Sequence, residues 1–239
     1  MATFQAQVEG LTGLGTLSAS TNPSLDELSQ FLKDGVLDVT ERWLNVKPLD
    51  ANLFLRLSSE QTANDSLDLN GAKIVSVVRE DGVTSDNLRS CRLIAPSMQY
   101  IVTDTTSLTY ASKFNPVYMI GENGKISVFP VASSGGLNSF WVYYVNNVPE
   151  DQTNSAALIY SHSDIKCFVD DKVHLVVMYA AIKSLEAKMA EYVIDEEDQE
   201  LVTAISSNLL SLKQQYDTAF SIMRPPPPPP EPPQQGARR

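Results

Sequence analysis

The stretch Lys172-Val-His-Leu-Val-Val-Met-Tyr-Ala-Ala-Ile-Lys-Ser-Leu-Glu-Ala-Lys-Met-Ala-Glu constrains the fold more than any other part of the sequence. Leu175, Met178, Ile182, Leu185 and Met189 recur in steps of three and four, which keeps them on one face of a helix. From Leu175 to Ile182 the apolar character runs nearly all the way round, so this helix needs cover on several sides. A second helix follows, with Leu201, Ile205, Leu209, Leu212, Tyr216 and Phe220 on its face. Between the two stands an acidic hinge, Asp195, Glu196, Glu197 and Asp198. Asp195 suits the N-cap of the second helix, and the glutamates suit the positive end of its dipole. An antiparallel amphipathic pair is the expected result.

A third helix is predicted from Asn22-Pro-Ser-Leu-Asp-Glu-Leu, where Ser24 and Glu27 have the spacing of a capping box. Leu25, Leu28, Phe31, Leu32, Val36, Val39 and Trp43 form its apolar stripe, and Pro48 ends it. The residues between are of another kind. Leu53, Leu55 and Leu57 alternate with Phe54 and Arg56, Lys73-Ile-Val-Ser-Val-Val is β-branched, and Phe140-Trp-Val-Tyr-Tyr-Val reads as a further strand, preceded by the loop Ser133-Ser-Gly-Gly. Asp81-Gly82 is a turn dipeptide, and Asn123-Gly124 between Val117-Tyr-Met-Ile and Lys125-Ile-Ser-Val-Phe signals a hairpin. The predicted class is α+β. Residues 22–47 and 166–223 form a helical base, 48–165 an inserted antiparallel β-domain, 1–21 an extended arm and 224–239 a proline-rich tail. The arm is either loose or laid on a neighbouring subunit. The tail, Pro225, Pro226, Pro227, Pro228, Pro229 and Pro230 followed by Glu231, favours a polyproline II rod, which serves either as a docking peptide or as a stiff solubilising end.

A formal charge of −11, without a run of Lys or Arg, argues against a general nucleic-acid binder. It does not stop DNA from passing nearby, because an acidic wall repels a polyanion. Cys91 and Cys167 are too few for a disulfide framework and read as reduced, packed thiols. The first ten residues lack the pattern of a signal peptide, and no apolar run reaches the roughly 20 residues of a membrane span. A protein made in a cytoplasm, without membrane attachment, is expected.

Chemistry is sparse. His174 lies in the first turns of the apolar helix and reads as a packed or interface imidazole. His162, in Tyr160-Ser-His-Ser-Asp, has Ser161 and Asp164 beside it, but neighbours in sequence rarely reach the geometry of a catalytic triad. No Cys or His pair has metal-ligand spacing, Gly121-Glu-Asn-Gly-Lys is not a phosphate loop, and residues 195–198 are not a calcium loop. Aromatic residues concentrate in the β-region at Tyr100, Tyr110, Tyr118, Phe129, Trp141, Tyr143 and Tyr144, where core or subunit packing is the first explanation. Neither an enzyme nor a cofactor is expected.

The succession Val77-Val-Arg-Glu-Asp-Gly, Cys91-Arg, Asp104-Thr-Thr-Ser-Leu-Thr-Tyr-Ala-Ser, Asn115-Pro-Val-Tyr, Ser127-Val-Phe-Pro and Val142-Tyr-Tyr-Val resembles virion structural proteins of tailed bacteriophages. The helix from Lys172, then Glu196-Glu-Asp-Gln-Glu-Leu-Val and Gln215-Tyr-Asp-Thr-Ala-Phe, resembles the helical part of head-to-tail adaptor, or connector, proteins. Leu28-Ser-Gln-Phe-Leu-Lys-Asp-Gly-Val-Leu-Asp-Val has the same look, so the likeness covers about 22–223. It implies a homo-oligomeric ring, commonly of twelve copies, in the neck of a virion. Portal protein lies above it, a tail or nozzle protein below it, and double-stranded DNA passes through without sequence-specific binding. Leu28, Phe31, Val39, Leu175, Met178, Ile182, Leu185, Leu201, Ile205, Leu212 and Tyr216 are then the ring base. Asp195, Glu196, Glu197 and Asp198 are the candidate channel or interface acids. A stopper or tail-terminator ring is the near alternative, and a host-surface hydrolase or glycan-binding protein the distant one.

Overall fold

The computed structural model describes residues 2–69, 71–83, 87–133, 137–195 and 199–223. Helices and two small sheets are combined in an α+β fold. The helical base is built round α4 (Val173–Asp195), which packs against α1 (Phe4–Thr12), α2 (Leu25–Val46) and α5 (Gln199–Met223). Leu175, Val176, Val177, Ala180, Ala181, Ile182 and Leu185 are all buried, so the all-round apolar stretch is covered on several sides as its composition requires. Ser184, wholly buried among them, is satisfied by donating to the Ala180 carbonyl at 2.8 Å.

Local sequence signals set the ends of α2. The Ser24 side chain accepts from the Glu27 amide while the Glu27 carboxylate accepts from the Ser24 amide at 2.7 Å, completing the capping box. Buried Leu28, Leu32, Val36 and Val39 face α4, and the helix stops two residues before Pro48. At Gly35 the two helices come close. A Cβ there would meet Tyr179 Cδ1 at 3.1 Å and the Val176 carbonyl oxygen at 3.3 Å.

Residues 1–21, expected as an extended arm, hold α1. Thr3 caps it, Gly13 closes it at φ 67°, and Phe4 and Val8 are completely buried in the helical core. Its backbone is tied down as well, since the Phe4 amide donates to the His162 carbonyl at 2.8 Å and the Gln5 amide to the Tyr160 carbonyl at 3.0 Å. Phe4, Val8 and Leu11 have helical spacing, but a segment dotted with glycine carries too little of it to stand out.

The middle of the chain forms two sheets. One runs β1-β7-β2-β3, with β1 (Leu55–Leu57), β7 (Phe140–Val145), β2 (Ile74–Glu80) and β3 (Leu88–Ser90) antiparallel throughout. The other runs β4-β5-β6, with β4 (Arg92–Leu93) parallel to β5 (Val117–Ile120) and β5 antiparallel to β6 (Ile126–Phe129). The predicted hairpin joins β5 to β6, and Asn123 and Gly124 take φ of 57° and 74°, which is why that dipeptide suits the turn. A short helix, α3 (Gln99–Thr103), lies between β4 and β5. Residues 48–54, expected to lead into a strand by alternation, form a 3-10 helix that ends at Phe54, and only Leu55–Leu57 extend. Pro48 starts that helix, where a missing amide costs nothing. The loop expected at Ser133 lies beyond the described residues after Ser133 itself.

Phe54, Val145, Leu158 and Ile165, all inside the expected β-insertion, belong to the core of the helical base together with Phe168. Trp43 packs edge-on to Phe54 at 6.5 Å, and Phe54 to Phe168 at 5.5 Å. Arg56 bonds the Glu150 carboxylate at 2.8 Å beside this stack. The β-region is thus fixed to the base by shared core.

Gly35→Leu drives a side chain into α4 and lowers unfolding free energy by about 3 kcal/mol, the upper range of overpacking costs. Urea denaturation followed by circular dichroism checks this, and an unchanged midpoint would deny the close helix approach.

Candidate functional site

In the base, Leu28, Val39, Leu175, Ile182, Leu185, Ile205, Leu212 and Tyr216 are buried, while Phe31 and Met178 are partly buried against the same core. Leu201 is the exception, at 38% exposed. It lies in the first turn of α5, where it lines an apolar groove of roughly 480 Å³ together with Leu14, Leu17, Tyr192 and Ile205. Periodicity identifies a helical face but not where the opposing surface ends.

A polar anchor escapes the apolar pattern. Tyr216 donates to Asp38 Oδ2 at 2.6 Å, and Arg42 binds the same carboxylate at 2.8 Å. The Arg42 guanidinium also lies 5.3 Å from the centre of the Tyr216 ring and 5.7 Å from that of Phe220. Burial, then the bond to Asp38, pushes the Tyr216 hydroxyl far above its ordinary pKa, so it stays a donor. Asp38 and Arg42 are four apart on α2, which is the one sequence signal for this link between α2 and α5.

The geometry around His162 does not make a hydrolytic set. Its Nδ1 accepts from the Ile159 amide at 3.2 Å, so the ring proton belongs on Nε2. The nearest carboxylate is that of Asp151, 3.9 Å away, while Asp164 is bonded by Ser163 and Ser161 is exposed. Asp151 itself accepts from the Thr153 and Asn154 amides, which makes the group a turn. His174 is exposed rather than packed, with Nδ1 2.9 Å from the Asp171 carbonyl. Among the described residues no group of three or more His, Cys, Asp or Glu could hold a metal ion, and no helix is long and apolar enough to cross a membrane. Cys91 and Cys167 are free, and burial pushes the Cys91 thiol up to about 12, leaving it protonated and inert at neutral pH.

Glu196, Glu197 and Asp198 lie outside the described residues, as does the tail from Pro225 to Pro230. Asp195 is the last residue of α4. What the described residues bring together is an apolar surface on the β-region. Its second sheet covers only a small core, Val102, Ala111, Val117 and Phe129, and leaves Leu93, Tyr100, Leu108 and Phe114 more than half exposed. Leu57 and Leu88, at 48% and 46%, stand at opposite edges of the first sheet. These are the large apolar side chains that the two sheets leave open to water among the described residues.

No family model matches the sequence, and a search of curated proteins finds no significant match.

Tyr216→Phe removes the hydroxyl while keeping the ring under Arg42. It lowers stability by about 1.5–3 kcal/mol, the cost of one hydrogen bond to a charged group. Chemical denaturation measures this, and a Tyr216→Phe chain as stable as the parent would mean that Arg42 alone satisfies Asp38.

Proposed function

We propose that the chain is a structural virion protein, a head-to-tail adaptor that forms a ring below the portal of a tailed bacteriophage and lines part of the DNA channel. The observation that carries this reading is the apolar surface of the β-region. Its small cores leave large side chains open to water, and contact with neighbouring copies removes them. Resemblance in the order of segments from 22 to 223 supplies the neck assignment. The charge of −11 fits a channel wall that DNA passes without adhering.

A ring requires a heterologous contact, in which one patch meets a different patch on the next copy and the rotation closes. The base and the β-region share a core, so a patch on the β-region keeps a fixed orientation to α4 and α5. That rigidity favours closure at one copy number. Portal above and a tail or nozzle protein below are the partners of this reading.

Purified protein mixed with the portal protein of the same virus forms a ring seated on one face of the portal. Negative-stain imaging and native mass measurement read the outcome. A chain that stays monomeric both alone and with portal overturns the proposal, and a ring located elsewhere in the virion neck makes it a stopper or terminator.

A further inference from the structure

Among the described residues the first sheet ends in two open edges, β1 and β3. In the β1–β7 ladder the Phe54 carbonyl accepts from Asn146 and the Ser58 amide donates to Val142, both at 2.9 Å. Alternation along an antiparallel strand therefore turns the amides and carbonyls of Leu55 and Leu57 away from β7. At the far side, the Asp81 amide donates to the Asn87 carbonyl at 3.2 Å and the Cys91 amide to the Val77 carbonyl at 2.8 Å. The same rule turns Leu88 and Ser90 outward. Past Cys91 the outer side is taken by β5, because the Arg92 amide donates to Pro116 at 3.0 Å. Each free edge is thus three residues long.

The geometry points to pairing of β1 in one copy with β3 of the next, so that the four-stranded sheets join edge to edge round the ring. This rests on the adaptor reading and names its subunit contact. Three features fit. Each neighbouring pair in the sheet is antiparallel, so β3 runs opposite to β1, and a second copy added in the same orientation continues the alternation. Full overlap places Leu57 opposite Leu88. Those two lie on one face of the sheet, the face that also carries Trp141 and Tyr143, because Leu57 pairs with Tyr143, Trp141 with Val78 and Val78 with Ser90. Each half-exposed leucine then covers the other as a cross-strand pair.

The same register sets Arg56 opposite Arg89, and each brings its own carboxylate. Arg56 is bonded to Glu150 at 2.8 Å, and Arg89 stands 3.5 Å from Asp81 with its guanidinium 5.0 Å from the Phe114 ring. Glu150 is shared with Lys166 at 3.8 Å, and Arg79 pairs with Arg89 across β2 and β3, so the joint carries more cations than anions. Charge on an edge strand ordinarily discourages pairing, and here each edge arginine already has a carboxylate of its own copy beside it.

Cysteine cross-linking tests the contact in the full chain with Cys167→Ser. An outward-facing pair places its Cα atoms about 5.5 Å apart, within disulfide reach. With portal present and copper phenanthroline as oxidant, Leu57→Cys with Leu88→Cys in one chain yields a ladder of covalent multimers on a denaturing gel. Each single substitution yields none. Covalent dimers from Leu57→Cys alone or Leu88→Cys alone mean that an edge pairs with itself, and they overturn the proposal. Rings on the portal without a ladder overturn it too, yet leave the adaptor reading standing, whereas no ring defeats both. Ser90→Pro supplies an independent arm. Its amide faces outward, so proline removes no bond inside the chain. Circular dichroism stays unchanged and assembly weakens by at least about tenfold; a folded Ser90→Pro chain that assembles normally overturns the proposal.

Discussion

Burial of α4 on several sides is the constraint from which the rest of the molecule follows. A helix with buried residues at Leu175, Val176, Val177, Ala180, Ala181, Ile182 and Leu185 has no single polar face to leave in water. Cover has to come from elsewhere in the chain, and it comes from α1 and α2 at the beginning and α5 at the end. Everything between α2 and α4 is consequently a closed excursion whose two ends are held together. Small residues make the tight approach possible: Gly35 on α2 admits Tyr179 and Val176, and Ala180, Ala181 and Ser184 are wholly buried on α4. Such a core tolerates little change of volume.

The excursion does not hang from two loose strands. Phe54 enters the helical core from just before β1, and Val145, Leu158, Ile165 and Phe168 enter it from β7 onward. Trp43, Phe54 and Phe168 stack edge to edge across the junction, with the Trp43 indole also donating to Asp50 at 3.0 Å. Arg56 locks the strand side of the same junction through Glu150. Orientation of the sheet is therefore set by apolar packing plus a partly buried ion pair. A surface presented on such a sheet has a direction, which is what closure of a symmetric assembly depends on.

Where the sequence carried a complete local signal, the structure follows it. Ser24 with Glu27 formed its capping box, Asn123-Gly124 made its hairpin, and the stripes through Leu185, Ile205 and Leu212 were buried. Most of the failures share one physical reason, dependence on a distant partner. Phe4 and Val8 make a helix because α4 offers them a place, and two apolar residues amid glycines do not announce that alone. Leu201 fits the stripe of α5 but lies past the end of its cover, and His174 fits that of α4 but faces water. The link from Tyr216 to Asp38 joins residues far apart in sequence.

Two faces of the first sheet have different fates, and this difference bears on assembly. Val77, Cys91, Phe140 and Val142 are buried on the inner face, whereas Leu57, Leu88 and the partly buried Val78, Trp141 and Tyr143 remain on the outer one. An antiparallel sheet with one wet face is ordinary, but its outer positions are then usually polar. Here Val78, Trp141 and Tyr143 hold the centre and Leu57 and Leu88 the edges, with Ser76, Glu80 and Ser90 as the polar positions among them. The charged side chains of the edge strands, Arg56 and Arg89, are on the inner face instead and are bound to Glu150 and Asp81. A sheet whose edges are short, whose edge arginines each have a carboxylate within the chain and whose outer face carries Leu57, Leu88, Val78, Trp141 and Tyr143 has given up part of the usual defences against edge pairing. Their loss is consistent with a chain that works joined to others of its kind.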